Sequence, residues 1–576
     1  MKKLLGILFL LFPMFAWADN QTMNPANWTF DASARTVTID SIANLRHVLR
    51  IVNTTDEVTI YEPSDPDRGG SQSGKVVTLD FNTTQMSDGD ALWITYETAN
   101  LVNSAAFGEL SVATPFPEVQ LQFTYNLNPD LIETRLNNGA ATVSGGLVSL
   151  STTAGANRSA QLLSRRPVKY NAGQGTLNRF TAIFTACTAD STQYMGIGNT
   201  SDGFFIGCEG TDFGVMRRRG GVPEIRTFTV TTKSTTAENI TITLDGVSSG
   251  DVVAVTDATA TDVTTTANEI AAHDYSNVGP GWTAHVMGDN VIFESFSAAS
   301  LTGVYSLSSA TTAVASVAQT LAGTTATDSV TNLADFSEGP LPFTIDVLKG
   351  NVYQIRYQWL GFGSIGYYIE NPRTGEWHLM HMIGYANANI IPSLSNPTLP
   401  LMAMVKNTGN TTDIVLQSAS MAGFTEGVVI SHTPPANISA SKDSVGTSET
   451  PILSLHNHTI FQNILNRVEV DVLSLIVSVD GTKPAIIRLR KNPILTGASF
   501  SAIDVDRSVL RKDTSATIVT GGTVQEFTVS KEGVIILGSD IFQAFHLQVT
   551  DTLTLSAEAT SGTTNVRVSF GTQDFF

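Results

Sequence analysis

Along most of the chain the apolar positions recur with a period of two. β-Branched and aromatic residues alternate with Thr, Ser, Asn and Gln, and reversals are marked by Gly, Asn and Asp. Residues 34–39 and 352–359 show the alternation most cleanly. Helical spacing is confined to two short stretches, 265–273 and 460–466. The pattern predicts an all-β chain of antiparallel β-sandwich or jelly-roll modules. At 576 residues it must comprise several domains, because single hydrophobic cores stop growing at roughly 250–300 residues.

Shifts in pattern divide the chain. Residues 27–113 read as a small N-terminal β-domain, in which 75–81 pairs with 91–96 across the Met86-Ser87-Asp88-Gly89-Asp90 turn. Short glycine-punctuated strands fill 115–226. Residues 227–323 turn to Thr, Ala, Ser and Val with few aromatics, and the aromatic strand pattern resumes over 324–430. The two flanks therefore read as one central, lectin-like sandwich with an inserted small β-rich domain, since insertions are tolerated at loop tips. Residues 431–449, with Pro434-Pro435 and no periodicity, read as a linker. Residues 450–576 form a C-terminal sandwich or jelly roll whose first hairpin joins 468–479 to 485–490 through Asp480-Gly481.

The N-terminus carries a different signal. Lys2 and Lys3 precede an apolar run to Phe15, and Ala16-Trp17-Ala18 supplies a small-x-small cleavage pattern, so residues 1–18 read as a signal peptide or an N-terminal anchor. Composition agrees with export: 42% of residues are hydrophobic and only 15% charged, leaving a surface of Ser, Thr, Asn and Gly. The formal net charge of −19 disfavours attraction to nucleic acid. Cys187 and Cys208 are the only cysteines and form a candidate disulfide, with two buried thiols as the alternative.

Catalytic chemistry finds no constellation. Glycoside hydrolysis needs two carboxyl groups facing one bond, and Glu109, Glu118, Glu370 and Glu376 are candidates by elimination only. No Gly-x-Ser-x-Gly elbow precedes a helix. His378 with His381, and His456 with His458, lie at strand spacings without a third ligand, so no metal site or cofactor is assigned. Asp80, Asp88, Asp90, Asp504 and Asp506 are candidate calcium ligands, and no EF-hand loop is present. Arg217-Arg218-Arg219, followed by Gly220-Gly221, reads as a solvated turn or an inter-subunit salt-bridge donor. Tyr353, Tyr357, Trp359, Tyr367, Tyr368 and Trp377 crowd one region. Part of that set fills the core, and the rest is the candidate surface for a sugar ring or another subunit.

The run Gly350-Asn351-Val352-Tyr353-Gln354-Ile355-Arg356-Tyr357-Gln358-Trp359-Leu360-Gly361-Phe362-Gly363 resembles virion structural proteins of tailed bacteriophages. So do Tyr368-Ile369-Glu370-Asn371-Pro372, Tyr385-Ala386-Asn387-Ala388-Asn389, Gln193-Tyr194-Met195-Gly196-Ile197-Gly198 and Asp480-Gly481-Thr482-Lys483-Pro484. The resemblance implies location on the virion and a β-rich oligomeric architecture, with no specific ligand and no catalytic residue carried over; together with the modular β order it gives the leading expectation, a non-enzymatic fibre, spike or decoration protein whose partners are other virion proteins and host-surface glycan. Exposed sheet edges predict a homo-oligomer, a trimer by the symmetry usual for fibres. The export signal supports a different reading, a secreted or cell-surface bacterial adhesin that binds glycan through the central sandwich. A glycan-degrading enzyme on the same sandwich is the third.

Overall fold

The computed structural model describes residues 20–22, 28–39, 45–63, 65–98, 115–249, 253–255, 262–308, 310–337, 341, 343–427, 433–538 and 546–576. The proposed signal or anchor at 1–18 and the candidate Glu109 lie outside these residues. The chain is all-β and multi-domain, with antiparallel strands throughout and one α-helix among the described residues. It divides into two compact units. One comprises 1–110, 336–345 and 370–382, and the other 111–335, 346–369 and 383–576.

In the first unit two four-stranded sheets enclose Phe30, Val37, Ile51, Ile60, Val77 and Ile94. The hairpin expected between 75–81 and 91–96 is not formed. Val76–Leu79 pairs with Thr36–Thr38 and Gly70–Ser73, whereas Leu92–Thr98 joins Leu45–Asn53 in the other sheet. The acidic turn between them instead binds its neighbours: Asp90 accepts from Asn53 Nδ2 at 2.9 Å, and Asp88 from the Ala32 N–H at 2.7 Å.

The second unit is built on the central sandwich. One sheet has seven strands, in the order Ile132–Asn137, Ser159–Ser164, Leu401–Asn407, Ser191–Gly198, Gly203–Glu209, Asp212–Arg219 and Thr327–Asn332. The facing sheet includes Leu147–Ser151, Val415–Ser418, Thr176–Phe184, Asn351–Tyr357 and Ile365–Glu370. Aromatic rings fill the space between the sheets, with Phe204 against Tyr357 at 4.9 Å and Phe213 against Phe184 at 5.8 Å. Cys187 and Cys208 are joined in a disulfide.

The inserted domain leaves the seven-stranded sheet after Arg219 and returns at Thr327, so it occupies the connection between two adjacent strands. A bridge between Val222 and Thr324 closes its neck. Inside it, a four-stranded sheet ordered Trp282–Met287, Asn290–Ala298, Pro223–Thr232 and Val314–Leu321 shares a core with the helix Val263–Ala271. That helix begins where Asp262 Oδ1 accepts from the Thr264 N–H at 3.1 Å, satisfying one of the donors left free at a helix start.

The C-terminal sandwich corrects three expectations. Residues 436–445 are not linker: Ala436–Val445 is a strand paired with Thr564–Phe575. Glu469–Val479 and Ala485–Lys491 do not form a hairpin but lie in different sheets, and Asp480-Gly481 carries the chain from one to the other. The segment 460–466 is not helical. Ile460–Phe461 pairs with Ile464–Leu465 across Gln462 and Asn463, whose φ values of 48° and 62° are those of a tight type I′-like turn.

Candidate binding site on the outer face of the seven-stranded sheet

Strand register fixes which side chains share the face turned away from the partner sheet. One row runs Glu133, Leu163, Met402, Gly196, Phe205 and Met216. The next runs Arg135, Gln161, Met404, Tyr194 and Gly207, and the third Asn137, Ser159, Lys406, Thr192 and Glu209. Leu163, Tyr194, Phe205, Met216, Met402 and Met404 form an apolar cluster of their own on this face. At its far edge Arg218 forms a two-pronged ion pair with Asp328 at 2.9 and 2.8 Å.

The inserted domain lies across the opposite end. Its strand Asn290–Ala298 places Glu294 3.1 Å from Arg135, and the Phe296 carbonyl accepts from Gln161 Nε2 at 3.3 Å. Asn137 Nδ2 donates to the Gly279 carbonyl at 2.9 Å. The C-terminal sandwich completes the cover: Arg467 pairs with Asp202 at 3.0 Å and Arg165 with Asp551 at 2.9 Å. Where the three bodies meet they leave a half-open cavity of about 310 Å³. Glu133, Arg135 and Arg165 line it from the sheet, Thr283, His285 and Glu294 from the insert, and Asn466, Arg467 and Gln548 from the C-terminal sandwich.

Arg135 is the electrostatic centre of this cavity, 2.5 Å from Glu133 and 3.1 Å from Glu294. Burial acts to raise both carboxyls. At Glu133 the adjacent guanidinium outweighs burial and holds the group below the usual carboxylate range. At Glu294 burial prevails and the group is raised. Burial also pushes His285 down to about 4, leaving a neutral imidazole whose Nε2 lies 2.8 Å from Thr459 Oγ1. Two carboxyls with proton affinities pushed apart are the raw material of glycosidic acid–base chemistry. Here one guanidinium binds both of them, which makes the trio a clamp, and no reaction is assigned to it. The Nε of Arg467 is buried without a protein partner.

The residues singled out from sequence fall elsewhere. Tyr353, Tyr357, Tyr367 and Tyr368 are 0–4% exposed and belong to the core, so they present no open stacking face. Trp359 is half-buried and packs edge-on against Tyr170 at 5.3 Å, and Trp377 is half-buried on a strand of the first unit. Arg217, Arg218 and Arg219 lie on the strand Asp212–Arg219 rather than in a turn, and each has a protein partner. Glu118 is spent on the Lys169 N–H at 2.7 Å and the Thr425 hydroxyl at 3.0 Å, and Glu376 accepts from Thr374 at 3.3 Å in a turn. Glu370 is half-buried at a strand end. His378 pairs with Asn371 at 3.1 Å, and His381 accepts from the Ser337 N–H. His456 and His458 are buried 6.2 Å apart with both imidazoles driven down by burial, His458 to about 3. Asp504 caps its own turn through the N–H groups of Asp506 and Arg507.

Sequence reasoning missed Glu469, Asp471 and His546, whose ligand-type atoms lie within 4.8 Å of one another. Lys169 at 2.7 Å and Arg166 at 3.1 Å already neutralise Glu469, and His546 Nδ1 is 2.5 Å from Asp471. The cluster is therefore an ion-pair hub joining the C-terminal sandwich to the central one. Glu133, Arg135 and Glu294 were also missed. Their signal was available: a lone acid inside the apolar strand Asn290–Ala298, and an acid and a base two residues apart, hence on one face, in Ile132–Asn137.

No family model and no curated protein matches the sequence. Among solved structures the chain is similar to the carbohydrate recognition domain of Emp47p, at 8% identity and TM-score 0.24, covering 55% of this chain and 97% of that one. It is similar to the exoplasmic/lumenal domain of VIP36 in its Ca2+/Man3GlcNAc-bound form, at 11% identity and TM-score 0.22, covering 55% and 92%. It is also similar to peanut lectin with a nine-residue peptide, at 10% identity and TM-score 0.23, covering 54% and 99%. Likeness at these values assigns no function to this chain.

Proposed function

We propose that this protein is an exported, non-catalytic carbohydrate-binding protein that attaches to glycan-bearing surfaces. The observation that carries the reading is the cavity of about 310 Å³ on the outer face of the seven-stranded sheet. It is at the lower end of the size range of small-ligand sites, enough for one or two sugar rings. Its walls carry Glu133, Arg135 and Glu294, paired with one another, and the unpartnered Nε of Arg467, against an apolar floor from Leu163, Pro400 and Leu465. Sugar hydroxyls donate and accept at once, so a wall of mixed polarity with a small apolar floor matches them better than it matches a lipid or a flat aromatic ligand. The disulfide supports an oxidising location outside the cytoplasm.

A glycan array probed with the full chain tests this reading. Binding to at least one saccharide class is expected, and it should be abolished by Thr283→Trp, which fills the cavity from the insert side. Binding that is indifferent to Thr283→Trp, or binding to no saccharide, overturns it.

The virion fibre or decoration role is the second reading, and one feature favours it. The strand Val534–Leu537 ends its sheet among the described residues, with Val534 and Ile536 62% and 70% exposed. An apolar edge of this kind suits packing against another copy of the chain. Sedimentation equilibrium of the wild type and Ile536→Lys, together with mass spectrometry of purified particles, tests it. A monomeric wild type absent from particles removes it.

A further inference from the structure

Beneath the same strand of the insert, one row further along the sheet, lies a second cavity of about 280 Å³. Asn137, Arg158, Ser159, Gln161 and Lys406 line it from the sandwich, and Phe296 closes it from the insert. Three features distinguish it from the first. No carboxylate contributes to its lining, although the chain as a whole carries a net charge of −19. Among the described residues its two cations, Arg158 and Lys406, form no ion pair, and the Arg158 guanidinium donates to the neutral hydroxyl of Thr153. Gln161 is 4% exposed; its Nε2 is used on the Phe296 carbonyl, while its Oε1 is buried with no partner.

Each feature sets a requirement on an occupant. Two unpaired cations over a groove without acids call for an anionic group, and charge-assisted hydrogen bonds to such a group are the strong ones. An orphaned amide oxygen calls for a donor, which a ring hydroxyl supplies.

We propose that this second cavity is a subsite for an acidic sugar unit, its carboxylate or sulfate held between Arg158 and Lys406 and one of its hydroxyls donating to Gln161 Oε1. The inference rests on the carbohydrate-binding reading and narrows it: the glycan bound is acidic, and it lies across the sheet face beneath the insert with its charged unit at the Lys406 end.

Titration calorimetry on the full chain tests this with three probes: a uronate tetrasaccharide, the same tetrasaccharide after carboxyl reduction, and a sulfated neutral tetrasaccharide. An acidic probe should bind roughly tenfold or more tightly than the carboxyl-reduced one. Lys406→Gln and Arg158→Gln should each remove about that advantage while leaving the reduced probe unaffected, and Lys406→Arg should keep it. Preference for the uronate or for the sulfated probe identifies which anion the site takes, and either preference supports the proposal. Lys406 is exposed and Arg158 half-buried, so both variants should fold, as circular dichroism will verify. Equal affinity for charged and reduced probes, with binding still blocked by Thr283→Trp, overturns the acidic subsite and leaves the carbohydrate-binding reading standing. No binding of any probe by a chain that binds a saccharide on the array overturns the acidic subsite alone, and a chain that binds neither the probes nor any arrayed saccharide overturns both.

Discussion

Replacing Arg135 by Met would leave the Glu133 and Glu294 carboxylates facing each other without their shared cation. The Glu294 side chain is only 13% exposed and cannot recover much solvation by a small shift, whereas Glu133 at 32% keeps part of its own. Removing one partner from a buried ion network costs about 3–5 kcal/mol, because the cost is the unpaired charge left behind. Two acids share this cation, but only Glu294 is deeply buried, which places Arg135→Met toward the lower end of that range at pH 7. The trio spans the contact between insert and sandwich, so the loss should appear as early exposure of the strand Asn290–Ala298. Urea unfolding gives the total, and hydrogen exchange locates it. The cost should shrink as pH falls from 7 toward 4. Without the guanidinium both carboxyls are raised above their unfolded values, and the penalty for their charge disappears once they protonate. The triple variant Glu133→Gln/Arg135→Met/Glu294→Gln should recover most of the stability. A loss below about 1 kcal/mol for Arg135→Met at pH 7 would refute the buried-network account, since that is the range of exposed pairs.

Three further outcomes are expected. His285 is held down to about 4 and His458 to about 3, so both are neutral in the folded state. The stability tied to their neutrality is present above pH 6.5 and lost as pH falls toward those values, which urea midpoints at pH 7, 5.5 and 4.5 will follow, with a shallower loss in His285→Gln. Replacing Cys187 and Cys208 by Ser should cost about 2–4 kcal/mol, measured by the shift in urea midpoint between variant and wild type, and the wild type should lose a similar amount on reduction. Asn463 has φ 62°, so Asn463→Gly should be tolerated and Asn463→Val should cost about 1–2 kcal/mol by the same assay.

Much of the architecture was legible because period-two alternation survives wherever a strand has one wet face. The composition change near residue 227 coincides with the strand Pro223–Thr232 that opens the insert, and the helix expected at 265–273 lies at Val263–Ala271. Alternation failed where its physical basis was absent. Ala436–Val445 is an edge strand with six of its ten residues exposed, so its Ser, Ala and Lys content reads as linker. The tyrosines of Asn351–Tyr357 share one face of their strand, and the last five residues of that strand are all buried, so neither face is open as a surface. The site was the least legible part. Its residues come from strands 161 positions apart in the case of Glu133 and Glu294, and only the cover supplied by the insert brings them together. Nor does a single sequence reveal that the outer face of the seven-stranded sheet is roofed.

The most direct test of the account is a crystal structure of the full chain with a saccharide identified on the array. The account predicts saccharide density beneath the strand Asn290–Ala298, within hydrogen-bonding reach of Glu294 or Arg467. Saccharide bound on the exposed loops, with the cavity walls collapsed onto each other or filled only by water, would contradict it.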